Sequence, residues 1–101
     1  MGMVELTDEE LLEIGREAAA DILGAPAVVD LRVKPRLDQD GKIVYDYIFV
    51  IDREQAVNYR PGHVMIDIGL GIRDKLWARG DETFPVLRIT SPEEWRSGAL
   101  A

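Results

Sequence analysis

The chain has no cysteine and only one histidine. The first absence excludes disulfides, thiolate metal sites and thiol nucleophiles, and the second excludes a multi-histidine metal centre. No apolar run approaches the roughly 20 residues that cross a bilayer, and the opening MGMVELTDEE lacks the basic and apolar segments of a secretion signal. These gaps point to a cytoplasmic protein with no membrane contact, no metal and no cofactor.

Positive charge is scarce as well: 12 Lys and Arg stand against 19 Asp and Glu, for a net charge of −7. The deficit is local. Residues 1–30 hold eight acids and one base, Arg16, while the other 71 residues are balanced. An acidic first segment disfavours nucleic acid and anionic membranes. With 47% hydrophobic and 31% charged residues, the 101 positions have ordinary globular usage and form one domain spanning 1–101, with a tail at about 97–101 that should fray.

The segment TDEELLEIGREAAADILGAP carries both signals of a helix. Thr7 and Glu10 make a capping box, and Gly24 followed by Pro26 ends it. Gly15, Ala18 and Ala19 flatten its apolar side, so that another helix can approach closely. AVVDLRVKPRLD then alternates, with Val29, Leu31, Val33 and Leu37 on one face and Asp30, Arg32, Lys34 and Arg36 on the other. Pro35 places this strand at a sheet edge.

The strand that follows, IVYDYIFVI, is apolar on both faces. A type I turn with a glycine bulge over DQDGK pairs Asp38 with Lys42 and sets Tyr47 opposite Val33, with the aromatics in the core. A two-residue turn at Asp40 and Gly41 would instead flip every side chain of the strand. The first register is favoured because apolar faces meet in it. It leaves Val44, Ile48 and Val50 on the outer face, beside a Lys34 and Asp46 pair.

A second helix is expected from near Pro61 to Gly80, with one apolar stripe of Val64, Met65, Ile68, Ile72 and Leu76. A second stripe, Ile66, Leu70 and Trp77, also wants cover, and the first helix is expected to meet this one near Gly69. A strand FPVLRIT and a short capped helix at SPEEW complete the order α-β-β-α-β-α. The expected fold is an α+β two-layer sandwich, a three-stranded sheet with helices on one face. The third strand lies either parallel to the second or antiparallel to the first, and the two-sided apolarity of the second favours the former.

Chemistry has few candidates. Asn58, Tyr59, Arg60 and His63 precede the second helix, where free N–H groups, an Arg and a His would attract a small anion. Nucleophiles are poor, since Thr7 and Ser91 act as caps, and Asp46, Asp52, Glu54 and Asp67 follow no metal-loop spacing. The residues therefore predict a non-catalytic binding or protein-interaction module, a homodimer or bound to another protein. Its interface would be Val44, Ile48 and Val50 or the Ile66, Leu70 and Trp77 stripe. An enzyme or ligand-binding domain for a small anionic substrate at Arg60 and His63 is the alternative. An RNA-binding sheet surface, with Arg32, Lys34 and Arg36 among exposed aromatics, requires the other hairpin register.

Overall fold

A computed structural model describes residues 6–98. Helix α1 spans Asp8–Leu23 and begins with the expected capping box. The Thr7 hydroxyl accepts from the Glu10 N–H at 3.1 Å, and the Glu10 carboxylate accepts from the Thr7 N–H at 2.9 Å. Two orphan amides are thereby satisfied at the helix start. Burial works against ionisation of Glu10 only weakly; its bonds to Thr7 come first among the causes that hold its carboxyl below the usual range.

Strand β1, Val28–Leu37, and strand β2, Ile43–Ile51, form the hairpin. The Asp38 carboxylate accepts from the amides of Asp40 and Lys42 at 2.9 Å each, the Asp38 N–H reaches the Lys42 carbonyl at 2.8 Å, and Gly41 takes φ of 79°. That is a type I turn closed by a glycine bulge. The ladder accordingly pairs Val33 with Tyr47, Leu31 with Phe49 and Lys34 with Asp46. Tyr47 and Phe49 are fully buried, their rings stacked 5.8 Å apart. The register that would expose the aromatics is not the one adopted, and the stacking platform for RNA goes with it.

At its start β1 departs from the alternation. A bulge between Val28 and Asp30 leaves Val29 without a partner and exposed. Leu37, at the open end of the ladder beside the turn, is exposed too.

Helix α2 runs over Val64–Ala78, three residues later than Pro61 suggests. Arg60 to His63 form a turn first, in which the Arg60 carbonyl accepts from the His63 and Val64 amides at 2.8 and 3.0 Å. Pro61 therefore occupies the second position of a turn, where its fixed φ is equally favourable. The far end is a Schellman motif: Gly80, at φ of 82°, donates to the Trp77 carbonyl and Asp81 to that of Leu76, each at 2.9 Å.

Strand β3, Phe84–Thr90, lies parallel to β2, and the sheet order is β1-β2-β3. The doubly apolar strand is central, as expected. Helices α1 and α2 cover one face, packed on each other and on the strands. Ala18 meets Gly71, whose added Cβ would lie 3.4 Å from that of Ala18; Gly69 faces Leu87 of β3 instead. Close approach of the helices thus occurs one half-turn later than expected. The short helix α3, Pro92–Ser97, caps itself through Ser91 and turns onto the opposite face of β2, where Trp95 lies under the Arg32 guanidinium at 5.3 Å.

That opposite face differs from the expectation of an exposed apolar row. Val50 is fully buried, Val44 is 5% exposed and Ile48 is half-buried. Each sits on the central strand, flanked in register on both sides: Val44 by Arg36 and Phe84, Ile48 by Arg32 and Arg88, Val50 by Asp30 and Thr90. Long neighbouring side chains lay their stems over apolar surface, and α3 covers one end of the row.

Asp46, in the same row, is 5% exposed, and in place of the expected ion pair with Lys34 it draws Arg36 Nε and Arg88 Nη2 to one oxygen at 3.0 and 3.1 Å. Its Oδ1 is buried with no hydrogen-bond partner among the described residues. Both arginines are nearly half exposed and can return to water. Replacing Asp46 by Leu should therefore shift stability by less than about 1 kcal/mol, in either direction, because a poorly satisfied buried ion exchanges for an apolar side chain. Chemical denaturation measures this, and a loss above about 3 kcal/mol would show that the ion pair holds the sheet together.

Candidate interaction site

Helix α2 is apolar on two sides, and the fold satisfies one. Val64, Ile68, Ile72 and Leu76 are buried in the core. Ile66, Leu70 and Trp77 face outward, as their separate stripe predicts, and Met65, expected with the buried stripe, joins them. Next to this surface runs β3, the last strand of the sheet, with Phe84 exposed at its start. Met65, Ile66, Leu70, Trp77 and Phe84 keep between 46% and 64% of their surface in contact with solvent.

Between helix and strand lies a groove of about 350 Å³. One wall is Met65, Ile66, Gly69, Leu70 and Arg73 of α2; the other is residues 84–87 of β3. Arg73 brings its only charge, with the guanidinium over the Trp77 ring at 4.8 Å and Nε buried without a hydrogen-bond partner among the described residues. Gly69 makes room at the floor, since an added Cβ there would sit 3.8 Å from Leu87.

A buried pair ties the loop between the two walls to β2. The loop from α2 to β3 is pinned at Asp81, whose carboxylate accepts from the Tyr45 hydroxyl at 2.5 Å and from the Thr83 N–H at 2.9 Å. Burial pushes the Asp81 carboxyl up, but the bonds from Thr83 and Tyr45 outweigh it and hold it below the usual range. Burial and the bond to Asp81 push the Tyr45 hydroxyl up. Asp81 was not among the residues expected to matter. Its signal is a three-residue Asp-x-Thr turn directly after a helix-ending glycine.

The four residues expected to hold an anion lie on the loop before α2, away from the groove. Asn58 takes a left-handed φ of 53°, Tyr59 is half-buried under the Arg53 guanidinium at 4.9 Å, and Arg60 and His63 are exposed. His63 is the cap residue of α2 yet makes no side-chain capping bond. Among the described residues, no group of three His, Asp or Glu gathers to hold a metal ion, and no helix is long and apolar enough to cross a membrane.

Compared with known proteins, the chain matches no family model, and neither a curated protein nor a solved structure is significantly similar to it.

Proposed function

We propose that this chain is a binding module without catalytic activity, which works by docking another polypeptide in the groove between α2 and β3. The observation that carries the reading is the concentration of exposed apolar side chains along one free edge of the sheet. Five large side chains half exposed to water form a patch on the order of 500 Å², at the top of what a monomer leaves uncovered. Groove walls of apolar residues with one charged side chain suit recognition of a polypeptide through its side chains. The acidic α1, on another part of the surface, favours solubility. Absence of cysteine suits action in the cytoplasm.

The anionic-substrate alternative has weaker support, since Arg60 and His63 are exposed on a loop and line no part of the groove.

The test is affinity capture from the native cell with the wild-type chain and with Leu70→Glu, including a co-expressed untagged copy of the chain. Leu70 is nearly half exposed, so the variant should keep its melting temperature. Proteins held by the wild type should be lost from the variant. Identical capture by the two would end this reading.

A further inference from the structure

We infer that the occupant of the groove is a second copy of this chain, related by a twofold axis at the free edge of β3, so that two three-stranded sheets join into one of six strands. This rests on reading the groove as the docking surface.

The two edges of the sheet differ. Edge strand β1 carries Asp30, Arg32, Lys34, Pro35 and Arg36 among its ten residues, the charged and proline-bearing composition that blocks pairing with another chain. Edge strand β3, FPVLRIT, has a single charge, Arg88. Pro85 removes one amide from it, near the start of the strand, where the ladder loses least. The unprotected edge is also the one flanked by the apolar groove.

One axis serves both layers. Leu87 is the central residue of β3, so a twofold there pairs the whole strand with itself, Phe84 against Thr90 and Pro85 against Ile89 of the second copy. Directly above Leu87 lies Gly69, with a Cβ position 3.8 Å from its side chain, so the same axis passes the middle of α2 beside Leu70. Antiparallel helices crossing there turn the groove side of each α2, with Ile66, Leu70 and Arg73, towards the other copy.

The exposed apolar patch, on the order of 500 Å², together with the backbone of β3 and the stem of Arg73, approaches the roughly 800 Å² that each side of a stable interface buries.

Light scattering of the purified full chain, over a hundredfold range of concentration reaching roughly 1 mM, reads the result directly. The wild type should show twice the chain mass, and Leu70→Glu should show the monomer mass with an unchanged circular-dichroism spectrum. Ile66→Arg, at a more exposed position, should do the same and guards against misfolding of the first variant. A wild type that stays monomeric throughout overturns the inference, as does a dimer that survives both Leu70→Glu and Ile66→Arg. If the monomer result comes with captured proteins that Leu70→Glu loses, the docking surface stands and its occupant is another protein.

Discussion

Replacing Gly15 by Ala should destabilise the protein by about 2 kcal/mol, although the same change in the middle of an ordinary helix is stabilising by about 1 kcal/mol. The reason is a tyrosine ring. A Cβ at Gly15 would lie 2.7 Å from Tyr47 Cε2, 3.1 Å from Cδ2 and 3.2 Å from Leu31 Cδ2. Relief requires the ring to move, and it is held on every side: it is fully buried, stacked on Phe49, and its hydroxyl donates to the Leu11 carbonyl at 2.9 Å. Backbone must shift instead. For a domain of this size the loss lowers the melting temperature by about 10 °C.

Removing the ring should reverse the sign. In a Tyr47→Leu background the ring contact at 2.7 Å is gone and Leu31, whose Cδ2 stays close at 3.2 Å, can turn into the space the ring leaves, so Gly15→Ala should then stabilise by about 0.5–1 kcal/mol through helix propensity. Four denaturation curves, one for each corner of the double-mutant cycle, give the answer. A Gly15→Ala change that stabilises the wild type would mean that the ring yields, and that contact between α1 and the sheet is looser than its geometry implies.

Gly15 also shows how far the amino-acid sequence could be read. The small residues of α1 were legible as a flat, close-packing side, but not what would approach it. Ala18 meets the other helix at Gly71, whereas Gly15 admits an aromatic ring from the central strand. A pattern of residue types along one element carries no information on which partner element fills the space, because several partners of similar size satisfy it. The hairpin was readable to the residue, since turn chemistry and face pairing had to agree and only one register let them. Parallel placement of β3 followed from the apolarity of β2 for the same kind of reason.

The outer face of the sheet was harder. Val44 and Val50 alternate with Asp46 like a solvent-facing row, and their cover comes from flanking strands and from α3, which are distant or short in sequence. The groove was legible by half. Its helical wall was visible as the stripe of Ile66, Leu70 and Trp77, because helical periodicity is local. Its strand wall was not, because β3 contributes Phe84 and its neighbours only through a tertiary placement.

The buried pair that ties the loop between these walls to β2 should be the most pH-sensitive part of the fold. Replacing Asp81 by Ala should cost about 2–4 kcal/mol, since the Tyr45 hydroxyl and the Thr83 amide lose a charged acceptor and the hydroxyl stays buried. Asp81 has its carboxyl lowered from an ordinary value of 3.8, so the unfolded chain binds the proton first. Stability from this group is therefore fully present above about pH 4 and is lost as the pH falls through the lower, folded value. Glu10, lowered from 4.5 by its capping bonds to Thr7, adds to the same acid limb. At the other end Tyr45 and Tyr47 are both raised from 10.0, in each case by burial first. A tyrosine that resists ionisation in the folded state stabilises below pH 10 and ceases to do so as the pH rises further, which predicts a second, alkaline limb. Asp81→Asn separates the two contributions. It keeps an oxygen for Tyr45 or Thr83 but cannot titrate, so its stability between pH 2 and pH 5 should fall less steeply than that of the wild type. A wild-type acid limb no steeper than the variant's would mean that the Asp81 charge does not fix the loop. The loop between α2 and β3 would then be held by the Schellman turn and the apolar contacts alone.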